Sequence, residues 1–216
     1  QVIDDIIVSA FGSAGQRCSA LRVAFLPKST AKSLIEGIIG AMNELKLGDP
    51  AEADTDVGPV IDAEAREILE KHLEAMGKEA KVLHQVDAGK IGERGFGFGP
   101  ALVELTSLDQ ITEEKFGPIL HVIRYDPDDI DKVGAKLKAK GYGLTLGIHS
   151  RLESFHNEVK TACPVGNTYV NRSMTGAVVG VQPFGGEGLS GTGPKAGGPH
   201  YLHRFANERV VTVNIT

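Results

Sequence analysis

Short apolar runs recur along this chain, and between them lie segments whose apolar residues are spaced three to four apart. The runs fall at 21–26, 81–86, 101–105, 119–125, 144–149 and 167–171, with helical patterns near the N-terminus and at 30–45, 62–76, 128–140 and 152–162. Strands that alternate with helices need crossover connections rather than hairpins, which puts them side by side in parallel. The expectation is an α/β fold: a largely parallel sheet with flanking helices on both faces. A chain of 216 residues buries a sizeable core, and one large domain is the simpler reading.

Local signals bound the elements. Ile3, Ile6, Ile7, Ala10, Phe11 and Ala14 form one stripe, with Asp4 and Asp5 in its first turn and Gly15 expected to stop it. Leu21 to Leu26 follows as an extended run closed by Pro27. A second stripe starts at Ser29 or Thr30, carries Leu34, Ile35, Ile38, Ile39, Met42 and Leu45, and ends at Gly48 and Pro50. Asp62 is the expected cap of a third helix, with Ile68, Leu69, Leu73 and Met76 inward and Gly77 as its stop. Residues 87–99 read as a loop, mobile or tightly turned, with Gly95-Phe96-Gly97-Phe98-Gly99 at its end. Val210 to Ile215 reads as a terminal strand with no obvious partner, a candidate for pairing with another chain or domain. The expected division is therefore 1–206 and a terminal strand over 207–216.

Composition narrows the function. Lys and Arg number 23 against 28 Asp and Glu, a net charge of −5 without a basic stripe, which argues against nucleic acid or an anionic membrane as partner. A small-molecule substrate fits better. Cys18 and Cys163 make neither a CxxC pair nor a disulfide framework, so a reducing, cytoplasmic setting is expected. No apolar segment of about 20 residues predicts a membrane span. The amphipathic pattern begins directly at Gln1, which suggests an excerpt of a longer polypeptide.

Four features could carry chemistry, and each has a bland alternative. Cys18 sits between helix and strand among small residues, where a substrate could reach its thiol; equally, free cysteine is usually a small buried hydrophobe. A helix C-terminus disfavours thiolate, so activation of Cys18 would need a base or cofactor from elsewhere. Gly186 to Gly191 spells GxGxxG, but the glycines and prolines that follow offer no helix to receive a pyrophosphate, so a phosphate loop is rejected. That loop reads either as a surface turn or as a nest whose backbone N–H groups, with the Ser190 hydroxyl, receive a carboxylate. Thr112 reads as the cap of a short helix at 112–118, the alternative being a carboxylate there that accepts from sugar hydroxyls. Seven scattered histidines, with only His200 and His203 close, predict no metal site.

Taken together, Gly15-Gln16-Arg17-Cys18-Ser19, Thr112-Glu113-Glu114-Lys115-Phe116-Gly117-Pro118, Gly166-Asn167 with Val170-Asn171, and Pro183-Phe184-Gly185-Gly186 resemble the aldehyde dehydrogenase superfamily across nearly the whole chain. The 24 positions from Gly176 to Pro199 are similar, more narrowly, to the L-glutamate γ-semialdehyde dehydrogenase part of the bifunctional proline utilization A family. The resemblance implies an NAD-dependent oxidation in proline catabolism with Cys18 as nucleophile and its backbone N–H at the oxyanion. It implies Glu114 on the nicotinamide-side ribose with Phe116 beside it. Ser19, Gly188, Leu189 and Ser190 would anchor the substrate carboxylate, and Phe184 would line the aldehyde pocket. The resemblance puts the family's base glutamate, oxyanion asparagine and adenosine-binding domain upstream of Gln1, so this chain alone is expected to be inactive. Any FAD would belong to a fused proline dehydrogenase domain. The partners implied are the upstream domains of the same polypeptide and further copies joined through the terminal strand. Two other readings remain, a non-catalytic domain used for assembly and a dehydrogenase for another semialdehyde.

Overall fold

Strand β4 (Ile119–Tyr125) is buried without alternation from Ile119 to Ile123. A strand that is apolar on both sides must be covered on both sides. It lies inside a four-stranded sheet of order β1-β4-β3-β2. Strand β1 (Val23–Pro27) pairs parallel to it, Val23 opposite His121, and β3 (Ala101–Leu105) pairs parallel on its other side, Ala101 opposite Ile119. Strand β2 (Lys81–Gln85) closes one edge antiparallel to β3, with an irregularity between Val82 and His84. The computed structural model describes residues 1–89, 91, 95–191 and 193–216; Lys90, Gly92, Glu93, Arg94 and Thr192, within the expected loop at 87–99 and the stretch at 176–199, lie outside the described residues.

Helix α1 (Val2–Phe11) packs on α2 (Ala31–Asn43) and touches β4, while α3 (Ala63–Glu79) packs against β2. Phe11, Ile38, Met42, Leu69, Leu102, Ile119 and Leu120 are fully buried in the core between them. Each such side chain contributes about 1.5–3 kcal/mol of burial. A smaller cluster of Ile130, Ile148, Val159 and Cys163 joins α4 (Ile130–Ala139), α5 (Glu153–Ala162) and the parallel pair β6 (Thr145–Ile148) and β7 (Asn167–Val170). A short antiparallel pair, β5 (Tyr142–Gly143) with β8 (Glu187–Gly188), pins the glycine-rich loop to this second cluster.

The α/β reading and the parallel pairing hold, and the differences lie at boundaries. Asp62 caps α3 as expected, its carboxylate accepting from the Ala65 N–H at 2.8 Å. The helix nevertheless runs through Gly77 to Glu79, because an interior glycine costs about 1 kcal/mol without stopping a helix. Ile68 faces outward and His72 inward, so the buried stripe is Leu69, His72 and Met76. No helix forms over 112–118, and Thr112 caps nothing there; the nearby cap is Ser107, whose box with Gln110 closes a single turn at Leu108–Gln110. The segment 95–99 is tightly packed: Phe98 is buried, and a Cβ on Gly99 would stand 1.7 Å from the Val86 carbonyl oxygen. Val210 to Ile215 forms no ladder with the described chain and is exposed throughout. A strand's N–H and C=O groups need a second strand, and none among the described residues pairs with it.

Candidate active site

The chain leaves α1 four residues before the expected stop. Helix α1 ends at Phe11, and Ser13, Ala14 and Gly15 then take consecutive left-handed conformations with φ of 55°, 53° and 63°. For Ser13 and Ala14 this is strained backbone, of order 1–3 kcal/mol each. The surroundings hold it. Gln16 reaches across to the 59–61 segment, donating to the Pro59 carbonyl at 3.3 Å and accepting from the Ile61 N–H at 2.8 Å. Arg17 Nε donates to Ser13 Oγ at 2.9 Å. The reversal is completed by the Ala20 N–H on the Arg17 carbonyl at 3.1 Å, a turn with Cys18 and Ser19 at its centre. Cys18 is exposed and Ser19 is buried. The buried-hydrophobe alternative therefore fits Cys163, which closes α5 inside the second cluster and whose thiol burial pushes up, and not Cys18.

Facing this turn is the 112–118 loop, and Arg22 joins the two. Its Nε donates to Glu114 Oε1 at 2.9 Å, Nη1 donates to the carbonyls of Gly15 at 2.6 Å and Gly117 at 3.2 Å, and Nη2 donates to the Arg17 carbonyl at 3.2 Å. The guanidinium also lies 4.9 Å from the centre of the Phe116 ring, within cation–π range. Burial pulls the Arg22 pKa down, while the charges of Glu114 and Cys18 act the other way. The two loops also touch directly: a Cβ on Gly15 would stand 2.2 Å from the Gly117 carbonyl oxygen.

Below Arg22 lies a buried imidazole pair. His121 Nδ1 is 3.1 Å from the Arg22 carbonyl oxygen, and its Nε2 is 2.9 Å from Nε2 of His72. Burial pulls both down, His121 to about 4.

The third component is the loop at 183–191. Phe184 exchanges backbone hydrogen bonds with Ala196, and Asn167 holds the carbonyl of Pro183 at 2.9 Å and the N–H of Gly185 at 3.2 Å. Lys195 Nζ donates to the carbonyls of Gly166 and Gly185, the latter at 2.7 Å. The N–H groups of Leu189, Ser190 and Gly191 bond to the carbonyls of Gly141, Glu187 and Gly188. They are thus spent inside the fold, and the expected nest is not formed in this conformation. The loop is folded on itself so closely that a Cβ on Gly191 would sit 2.5 Å from the Gly186 oxygen, which accounts for the GxGxxG spacing without a phosphate. What remains available is the Ser190 hydroxyl, whose oxygen accepts from the Gly143 N–H at 3.1 Å and whose proton is free to donate.

One cleft of about 900 Å³ is lined by Cys18, Arg22, Glu114, Phe116, Leu189 and Ser190 among others. Ser19, Phe184 and Gly188 do not reach its wall: Ser19 is turned inward, Phe184 is half-buried behind the loop, and Gly188 is occupied in β8. The residues that sequence reasoning missed are Arg22, His72, His121 and Lys195. Arg22 and Lys195 stood near or within recognised stretches, but the partner of Arg22, Glu114, is 92 positions away, and those of Lys195 include Gly166, 29 positions back.

A solvent-facing thiol on a strained turn thus lines one cleft with a carboxylate and an aromatic ring in an α/β fold. Residues 1–211 match the Aldehyde dehydrogenase family, and the chain belongs to it. It is similar to the bifunctional protein PutA of Klebsiella aerogenes, 50% identical over 214 residues that cover 97% of this chain and 16% of that protein. It is also similar to 1-pyrroline-5-carboxylate dehydrogenase 1 of Halalkalibacterium halodurans, 36% identical over 97% of this chain and 40% of that protein. The fold matches a crystal structure of a mutant Bradyrhizobium japonicum proline utilization A with a TM-score of 0.93 and 53% identity, over 98% of this chain and 21% of that one. A 1-pyrroline-5-carboxylate dehydrogenase from Thermus with bound NAD matches with a TM-score of 0.84 and 33% identity, over 94% and 39%. The chain thus spans about one sixth of the length of the PutA proteins it matches. Among the described residues no helix is long and apolar enough to cross a membrane.

Proposed function

We propose that this chain supplies the nucleophile and the carboxylate-anchoring loop of an NAD-dependent aldehyde dehydrogenase that oxidises L-glutamate γ-semialdehyde to L-glutamate in proline catabolism. The observation that carries the reading is the shared cleft, which Cys18 and Ser190 both line. The Cys18 thiolate adds to the aldehyde carbon, and the Cys18 backbone N–H donates to the oxygen that becomes negative. The carbon then loses a hydride, leaving a thioester on Cys18. Water cleaves the C–S bond, releasing the carboxylic acid and returning the thiol. Ser190, with Leu189 and Gly188 shaping the loop, holds the far carboxylate, and Ser19 and Phe184 support the Cys18 turn and this loop from behind.

The ribose end of a dinucleotide fits the residues present. Glu114 is part-exposed, with one oxygen held by Arg22, and the exposed Phe116 lines the same cleft. NAD, when bound, supplies the two-electron acceptor. Glu114 would accept from the ribose hydroxyls and Phe116 would pack beside them.

The base, the oxyanion side chain and the adenosine-binding domain are expected from polypeptide preceding Gln1, and FAD from a fused proline dehydrogenase domain. Residues 207–216 are proposed to pair with another copy, and the assembly to be cytoplasmic. The discriminating assay follows NADH formation from glutamate semialdehyde and NAD⁺ by the complete gene product. Cys18→Ala should abolish it, and the 216-residue chain alone should give none. Turnover that survives Cys18→Ala, or a complete gene product inactive on this aldehyde, would sink the reading. An assembly-only domain would show slow, denaturant-dependent labelling of Cys18 by iodoacetamide; the exposure of Cys18 speaks against it.

A further inference from the structure

Among the described residues, Arg22 is the one side chain that grips both the Cys18 turn and the Glu114 loop through a set of hydrogen bonds. Its Nη1 and Nη2 hold the carbonyls of Gly15 and Arg17, which lie on the N-terminal side of the turn that presents the sulfur. Its Nε holds Glu114, its Nη1 also holds Gly117, and its plane lies against Phe116. Only a planar fork of five N–H donors can serve acceptors in these directions together; an ammonium group cannot. The fork itself is fixed from behind. The Arg22 carbonyl accepts from the His121 N–H at 3.0 Å and faces His121 Nδ1 at 3.1 Å, and the neighbouring Leu21 N–H is bound to the Ser9 carbonyl at 2.9 Å. With its backbone anchored, a displacement of Glu114 is passed on through the guanidinium to Gly15 and Arg17.

We infer that Arg22 is a positioning residue that couples the occupancy of the cofactor-ribose loop at Glu114 and Phe116 to the placement of the Cys18 sulfur. The inference rests on the proposed function in taking NAD as the occupant of that loop. Bound ribose competes with Arg22 for Glu114, and the guanidinium then resettles on the two carbonyls beside the nucleophile. Arg22 touches neither substrate nor reacting atoms in this scheme and acts through the two loops it holds.

The test uses the complete gene product and reads the rate at which iodoacetamide labels Cys18, with and without NAD⁺. In the wild type, saturating NAD⁺ should change that rate by roughly fivefold or more, the lower end of ordinary site-to-site coupling. In Arg22→Lys and Arg22→Gln the change should fall below about twofold on the same coupling scale, and KM for NAD⁺ should rise together with a fall in kcat. A residue that merely held the fold would lower the active fraction and leave KM and the NAD⁺ response as they were. A variant that keeps the wild-type response overturns the inference, as does a wild type whose labelling ignores NAD⁺. If neither Arg22 variant folds, Glu114→Ala decides, because removing the acceptor frees one arm of Arg22 and should alter Cys18 labelling without NAD⁺, and an unchanged rate overturns the coupling. A wild type that shows the NAD⁺ response but makes no NADH from glutamate semialdehyde would count against the proposed function and leave the coupling standing.

Discussion

Nε2 of His72 and Nε2 of His121 lie 2.9 Å apart with their rings edge to face, so one proton serves both nitrogens. The Arg22 carbonyl can only accept, so Nδ1 of neutral His121 carries its hydrogen and Nε2 is the bare acceptor. His72 must then donate from Nε2. This assignment follows from the network rather than from observed hydrogens. A second proton between the two nitrogens would make one ring a cation in a buried place and set two N–H groups against each other, with Lys115 already near His72.

Stability should therefore fall in mild acid. His121 is pulled from its usual 6.5 to about 4, first by burial and only partly offset by its bond to Arg22. With the folded value below the unfolded one, the neutral pair is fully favourable above pH 6.5. Its contribution is lost as the unfolded chain takes up a proton the folded chain refuses, down to about pH 4, at a cost of about 3 kcal/mol. Urea unfolding of wild type and His121→Gln across this range checks it; equal pH slopes for the two would remove His121 as the cause.

Gly15→Ala should destabilise the domain and disorder the Cys18 turn. A methyl group there meets the Gly117 carbonyl oxygen at 2.2 Å and must also adopt φ of 63°. The left-handed conformation alone costs about 1–2 kcal/mol, and the clash adds to it. A midpoint in urea within error of the wild type would mean that the two loops are not held so closely in solution.

The two thiols should separate cleanly. Iodoacetamide should label Cys18 in the folded protein and Cys163 only with denaturant, because the first is exposed and the second buried with its thiol pushed up. Cys18→Ser should alter stability by no more than about 0.5 kcal/mol, as expected for an exposed site. Mass spectrometry of labelled peptides is the readout, and preferential labelling of Cys163 would contradict the geometry.

Lys195→Met should weaken glutamate binding without removing the Ser190 hydroxyl. The stem remains while the carbonyls of Gly166 and Gly185 lose their donor, each a loss of about 1–3 kcal/mol. Calorimetric titration of the complete gene product with glutamate measures it. An affinity equal to wild type would mean that the loop keeps its shape without the lysine.

The order of the elements was legible from local rules, because the spacing of apolar residues reports which face of a helix or strand is buried. The apolar run at 119–125 announced a strand, and Asp62 announced the start of α3. The motifs around Cys18, Glu114 and Ser190 could be recognised by resemblance, since each is short and continuous. The end of α1 was not legible: Ser13 and Ala14 carry no local signal for left-handed backbone, and it is Gln16 on the 59–61 segment and Arg22 on Gly15 that hold them there. Nor was the nest's failure, since the N–H groups of Leu189 to Gly191 were claimed by partners that include Gly141, far back in the chain. By itself the sequence determined the α/β pattern, the family and Cys18 as the candidate thiol, whose exposure the structure decided. Only the tertiary structure decided which groups meet: a hydrogen bond between Arg22 and Glu114, or between His72 and His121, depends on strand register and loop approach, which no local periodicity encodes.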